Sequence, residues 1–221
     1  MADTTTKPKL GVISHSINTV VEMFNLMPDS LLIGSIFLYI ITQNLSYGVF
    51  SIFIFEVILS HKFFSWIFTE IYGPRSNKDI KCRIGYKTPS INIERFFSHN
   101  HYPSYGVFSI TSVATYLGLS TYKFTETLAQ LGSGWEGRNI FAYIFIGIIV
   151  LLVIVSRIAS ECDSFKEIGI ALFLALITGS LFFMINYTFF GDESINFLGL
   201  PFIQAKESEG KDIYVCSTTS S

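Results

Sequence analysis

Residues 139–156 read NIFAYIFIGIIVLLVIVS, a stretch without a single charged side chain. Arg138 precedes this stretch and Arg157 follows it, so the apolar run has a charged boundary at each end. A helix of about 20 apolar residues crosses the hydrocarbon core of a bilayer, roughly 30 Å, with its backbone hydrogen bonds satisfied internally. The stretch therefore predicts a transmembrane helix, and the rest of the chain can be assigned around it.

Three further windows lack charged side chains, namely residues 30–55, 102–122 and 168–190. The first is longer than one span needs, so it predicts either one tilted helix running to about Leu59 or two pieces hinged at residues 47–48. The window 102–122 is more polar than the others. Its hydroxyl residues are typical of a helix packed closely against other helices: Ser109, Thr111, Ser112 and Thr115.

The composition agrees with a membrane protein. Half of the residues are hydrophobic, 14% are charged and the mean hydropathy is +0.48, whereas soluble domains carry about 25% charged residues. A net charge of -2 gives no indication of nucleic-acid binding. The three cysteines lack CxxC spacing, so we expect neither a disulfide framework nor a zinc site, and no metal or cofactor.

We predict an all-α fold, a polytopic transmembrane helix bundle of about four spans plus an N-terminal amphipathic helix. Residues 1–29 form a polar N-terminus with the amphipathic helix at 11–27, which ends at Pro28 with Ser30 as the next N-cap. Residues 30–190 form the transmembrane domain, with a polar loop at 61–101. Residues 191–221 form a polar C-terminal tail.

Four spans place both termini on one side of the membrane and the loop 61–101 on the other. The side that carries this loop has nine Lys and Arg residues against six on the side of the termini. The positive-inside rule then predicts that the loop 61–101 faces the cytoplasm.

Three short motifs fall on the side of the loop 61–101. Lys81 is followed after six residues by Thr88-Pro89, residues 103–106 read PSYG at the start of a window, and Ser156-Arg157 is followed by Asp163 and Glu167. In order and spacing this series resembles the signature of the type 2 phosphatidic acid phosphatase and haloperoxidase superfamily. That signature is Lys-x6-Arg-Pro, then Pro-Ser-Gly-His, then Ser-Arg-x5-His-x3-Asp.

The resemblance implies that Lys81, Ser104 and Arg157 are the remnant of a phosphate-binding site. The histidine that attacks phosphorus in the family corresponds to Asp163, and the aspartate that orients it corresponds to Glu167. Both imidazoles that the family's mechanism needs are absent from their motif positions. We therefore expect no retained catalysis, and we expect Arg157 to pair with Asp163 or Glu167 because a charge at a membrane boundary needs a partner. Descent from this family would place the motifs away from the cytoplasm, opposite to the charge count.

The C-terminal tail carries a second resemblance. Residues 190–201, FGDESINFLGLP, and residues 211–216, KDIYVC, are similar to the ends of small membrane proteins of nucleocytoplasmic large DNA viruses. Some of those proteins are virion components. This resemblance implies a virion internal membrane or host endomembrane, with a capsid or membrane protein as partner through the loop 61–101 and the tail 191–221.

The sequence thus favours an integral membrane structural protein in the membrane and capsid assembly of a large DNA virus, with a catalytically degenerate, phosphatase-like bundle. One alternative is a lipid phosphate phosphatase with altered catalytic residues, in which Asp163 forms an acyl phosphate. A second is a small transporter or channel subunit, which requires polar residues along several helices. Glu56, an intramembrane carboxylate, is the feature that fits an ion pathway, although its position near the end of the first window favours solvation at the interface.

Overall fold

The computed structural model describes residues 7–73, 82, 102–130 and 136–197, and side chains within 22–73, 82, 102–125 and 139–197. The described chain contains no strand, which confirms the predicted all-α class. The five long helices are α1 (Lys7–Thr42), α2 (Leu45–Tyr72), α3 (Tyr105–Gln130), α4 (Glu136–Ala159) and α5 (Phe165–Phe190), and a 3-10 helix (Gly191–Ile195) follows α5.

Within these ranges, four segments are long and apolar enough to cross a membrane. They are Glu22–Thr42, Leu45–Tyr72, Asn139–Ala159 and Phe165–Ile195, which belong to α1, α2, α4 and α5. The predicted membrane helices at 139–156 and 168–190 are therefore confirmed. The window 102–122 forms α3, a helix that is less apolar and largely buried among the others.

The first charge-free window divides into two helices, at a different point from the one predicted. Gln43 adopts a left-handed backbone conformation with φ of 52°, and the Oδ1 atom of Asn44 accepts a hydrogen bond from the backbone N–H of Ser46 at 3.0 Å. These two residues, and not residues 47–48, therefore end α1 and begin α2. A polar side chain that caps the new helix replaces the backbone bonds lost at the break.

The predicted break at Pro28 is wrong, since α1 runs through it. Ser30, the expected N-cap, donates its hydroxyl to the carbonyl of Leu26 one turn earlier. Membrane helices tolerate an interior proline when neighbouring groups satisfy the freed backbone atoms. The amphipathic segment 11–27 is accordingly the N-terminal part of α1, and its side chains before residue 22 lie outside the described residues.

The predicted loop at 61–101 is shorter than expected because its first twelve residues continue α2 to Tyr72. Aromatic side chains allow this continuation, since Phe64 packs edge-on against Phe108 of α3 with ring centroids 6.0 Å apart. Apart from Gly73 and Cys82, residues 73–101 lie outside the described residues.

The hydroxyl residues of α3 predicted close packing against other helices, and the structure identifies α5 as a closely packed partner. The hydroxyl of Ser112 donates to the carbonyl of Ala175 at 3.3 Å, and the facing stripe of α5 consists of the small buried residues Ala171, Ala175 and Gly179. A Cβ atom on Gly179 would lie 2.7 Å from the carbonyl oxygen of Ser112. Only a glycine allows this approach, which is the way small residues pack membrane helices.

Polar contacts define two ends of the bundle. At one, here called the site end, Asn25 of α1 contacts Arg157 of α4, and Ser104, before α3, contacts Asp163. At the other, the tail end, Asn44 donates to the carbonyl of Asn196 at 3.1 Å. The described chain therefore enters the bundle at the site end and leaves it at the tail end. Within the described residues, the break at residues 43–44 adds one more passage, so Asn25 and Asn196 lie at opposite ends of the bundle. The prediction of both termini on one side of the membrane stays a prediction, because the termini lie outside the described residues.

We expect Gly179→Ala to lower the free energy of unfolding by about 1–3 kcal/mol, because the new methyl group would push α3 away from α5. Gly169→Ala on the same helix is the matched control, since a Cβ there meets nothing within 4 Å. That control should be neutral or gain up to about 1 kcal/mol from helix propensity. Chemical unfolding in detergent micelles measures both variants, and equal stability of the two would contradict the close packing of α3 on α5.

Candidate functional site

An ion pair at the site end lies almost entirely out of solvent. Arg157, in the last turn of α4, donates from Nε to the Oδ2 atom of Asp163 at 2.5 Å. The Arg157 side chain is 5% exposed and that of Asp163 is 0% exposed. Removing two charges from water costs several kcal/mol for each ion, so such a pair persists only with further hydrogen bonds around it.

Ser104 supplies one of these hydrogen bonds. Its hydroxyl donates to the same Oδ2 atom of Asp163 at 2.7 Å. Ser104 immediately precedes α3, and its own carbonyl accepts from the backbone N–H of Phe108 in the first helical turn. The start of α3 and the connection between α4 and α5 are thereby held together through one carboxylate oxygen.

The guanidinium of Arg157 also contacts two distant parts of the chain. Its Nη1 atom donates to Oδ1 of Asn25 at 3.2 Å and to the backbone carbonyl of Cys82 at 3.3 Å. Two of its three nitrogens thus donate to protein acceptors, which the planar guanidinium can reach in different directions at once.

A disulfide joins Cys82 to Cys162, the residue before Asp163. The expectation of no disulfide is therefore wrong. The two cysteines are 80 residues apart in sequence with Cα atoms 5.4 Å apart, and both are buried. No local spacing could reveal this pair, because the helices alone bring residue 82 to the connection between α4 and α5.

The structure brings together three of the five residues that the phosphatase resemblance singled out: Ser104, Arg157 and Asp163. The expected pairing of Arg157 falls on Asp163 and not on Glu167. Glu167 lies apart as a helix cap, with the Ser164 backbone N–H donating to its Oε2 atom at 2.6 Å. Lys81 lies outside the described residues, immediately before Cys82.

Two residues at this end were not identified from the sequence. Asn25 lay in the predicted amphipathic helix, and His61 was placed at the start of a loop. His61 is 1% exposed and packs against Tyr105 and Phe108, and its Nε2 atom lies 2.8 Å from the carbonyl oxygen of Pro103. Since a carbonyl only accepts, Nε2 carries the proton. His61 therefore holds the backbone just before Ser104, although no motif marks it.

The contacts of Asp163 favour neutralisation of the Arg157 charge over binding of a phosphate group. A phosphate group bound by Arg157 and Ser104 would need the donors that Asp163 now occupies, and a second anion beside this carboxylate would be repelled. The described residues contain no group of three or more His, Cys, Asp or Glu side chains able to hold a metal ion.

Comparison with known proteins adds no relative: no protein family, curated protein or solved structure matches the chain. The site must therefore be interpreted from its own geometry.

We expect Asp163→Asn to lower the free energy of unfolding by about 3–5 kcal/mol, because it leaves the buried guanidinium of Arg157 without a counter-charge. Glu167→Gln, four residues later, removes a charge that caps the start of α5. Since glutamine also completes a capping box, its cost should stay below about 1 kcal/mol. Chemical unfolding in micelles compares the two variants, and a smaller loss for Asp163→Asn than for Glu167→Gln would contradict the buried pair.

Proposed function

We propose that this chain is a multi-pass membrane protein with a structural role, whose site end is a closed remnant of a phosphate-binding site. The observation that carries the proposal is the position of Asp163. Its carboxylate has no exposure, accepts from both Arg157 and Ser104, and so occupies the place that a bound phosphate would need. The pocket is filled by the protein's own charge.

Descent from a phosphatase-like bundle is supported by which residues meet. Ser104 lies just before α3, Arg157 lies in the last turn of α4 and Asp163 lies just before α5. This order agrees with the order of the three motifs. Ser104 is 59 positions from Asp163 in the sequence, and Arg157 is six positions from it. Both donate to the same carboxylate oxygen, which requires a specific packing of α3, α4 and α5.

The same convergence keeps the second candidate in view, a lipid phosphate phosphatase with Asp163 as nucleophile. A carboxylate attacks phosphorus with a free oxygen lone pair, and Arg157 would have to leave Asp163 to receive the phosphate. Breaking a buried ion pair costs about 3–5 kcal/mol, and binding of the phosphate would have to offset this cost.

We expect the purified protein to release no inorganic phosphate from phosphatidic acid in mixed micelles, at a level indistinguishable from Asp163→Asn. Glu167→Gln is the control for a carboxylate outside the ion pair. Turnover by the wild type that disappears in Asp163→Asn and persists in Glu167→Gln would overturn the structural role in favour of the phosphatase.

A more specific part of the proposal concerns the membrane. Only Lys123, Arg138, Lys206 and Lys211 belong to segments at the tail end, whereas the other eleven of the 15 Lys and Arg residues belong to segments at the site end. The imbalance is larger than the sequence count, because Lys7 and Lys9 lie in the first turn of α1, which enters the bundle at the site end. By the positive-inside rule, the chain is inserted into the membrane with its site end on the cytoplasmic side.

The disulfide indicates oxidising surroundings for the site end, in contrast to the reducing cytoplasm. Disulfides are rare in the reducing cytoplasm and persist in oxidising surroundings, among them virion surfaces. A protein inserted with its site end in the cytoplasm and later carried out in a particle meets both conditions. Together with the similarity of the tail to virion membrane proteins, this supports a place in the internal membrane of a large DNA virion.

The capsid partner would meet the segment between α2 and α3 in this proposal, because α2 ends and α3 begins at the positively charged site end. Phe197, the last described residue, lies at the opposite end, where its carbonyl accepts from the hydroxyl of Tyr47 at 3.2 Å. The two segments expected to contact partners therefore serve opposite faces of the membrane in this proposal.

We expect the Cys82–Cys162 bond to be open in newly made protein and closed in membrane-containing particles. Denaturing alkylation with a maleimide that adds mass should label three cysteines in the first sample and one, Cys216, in the second. Cys82→Ser controls for the assignment, since it should leave two labelled cysteines in both. Three labelled cysteines in particles, or absence of the chain from particles, would contradict the virion assignment.

A further inference from the structure

A second polar group lies inside the bundle, away from the site end. Glu56 belongs to the interior of α2, eleven residues after Leu45, or about 16 Å along the helix axis. It does not lie at a helix end, where the sequence had placed it with solvation at the interface. Its Oε2 atom accepts from the amide of Asn186 on α5 at 3.1 Å, and Asn186 is 2% exposed.

Tyr116 of α3 completes the group. Its ring packs against the rings of Phe53 and Phe183, with ring centroids 4.2 Å and 5.4 Å away. Phe53 is one turn from Glu56 on α2, and Phe183 is one turn from Asn186 on α5. Tyr116 is 0% exposed, yet its hydroxyl has no hydrogen-bond partner among the described residues.

Two requirements are thus left open at one place. Glu56 is half-buried, a compensating positive charge would stabilise its carboxylate there, and no Lys or Arg of the described chain forms an ion pair with it. A buried hydroxyl costs free energy unless its oxygen or hydrogen has a partner. One bound cation, ligated by the carboxylate and by the phenol oxygen, meets both requirements.

The geometry points to a binding site for a small monovalent cation between Glu56, Tyr116 and Asn186. Turning the amide of Asn186 by 180° exchanges its nitrogen for Oδ1 without moving the backbone, so all three side chains can present oxygen. Carboxylate and neutral oxygens are the ligands that hard cations prefer. A single carboxylate balances one positive charge, whereas a divalent ion would leave a net charge among apolar side chains. The site joins α2, α3 and α5, so an ion there would stabilise the bundle.

The test uses the purified full chain in detergent micelles at constant pH and ionic strength, with choline chloride replaced stepwise by NaCl. The methyl groups on the nitrogen of choline prevent its direct ligation by oxygen atoms, so the unfolding midpoint should rise with Na⁺ and saturate, by about 2–4 °C. Glu56→Gln and Tyr116→Phe should each abolish the rise. Glu70→Gln, an exposed carboxylate on the same helix, should keep it.

Binding of radioactive sodium to the same samples gives a readout that does not depend on stability. Saturable binding by the wild type and Glu70→Gln, with a loss of at least tenfold in affinity in Tyr116→Phe, is the expected result. Equal midpoints in NaCl and choline chloride would overturn the proposal. So would a response to pH without one to Na⁺, because the positive charge would then be a proton.

Discussion

The ion pair between Arg157 and Asp163 is the interaction on which the site end depends. Apolar helices gain little by leaving lipid for one another, since hydrocarbon solvates them equally well. Polar contacts therefore specify which helix ends meet. The guanidinium of Arg157 reaches Asn25, the Cys82 carbonyl and Asp163, and Asp163 in turn holds Ser104. Three separate parts of the chain thus converge on the side chains of Arg157 and Asp163, and these contacts engage the Nε and Nη1 atoms of Arg157.

The rest of the bundle follows from the way α3 is enclosed. This helix carries too many hydroxyl groups to face lipid comfortably, and α5 presents small residues to it so that the two backbones approach closely. The aromatic side chains Phe53, Tyr116 and Phe183 then fill the space between α2, α3 and α5. The apolar helices around α3 separate its hydroxyl groups from lipid.

The site was predicted in part. Ser104, Arg157 and Asp163 were selected through the resemblance of three short motifs to the phosphatase signature. Glu167 was selected by the same spacing and lies elsewhere, since its neighbour Ser164 uses it in a capping box. His61 and Asn25 could not be selected, because a lone polar residue inside a helix becomes part of a site only through the packing of another helix against it.

The sequence by itself determined that the chain is helical, that residues 139–156 and 168–190 are apolar enough to cross a membrane and that the window 102–122 packs against other helices. Those properties depend on composition and on contacts between near neighbours. The tertiary structure decided that α1 continues through Pro28, that the chain turns at Gln43 and Asn44, that Cys82 meets Cys162 and that Glu56 faces Asn186. The physical reason is distance along the chain, since contacts across 80 or 130 residues arise only when helices pack and leave no periodic signal in the sequence.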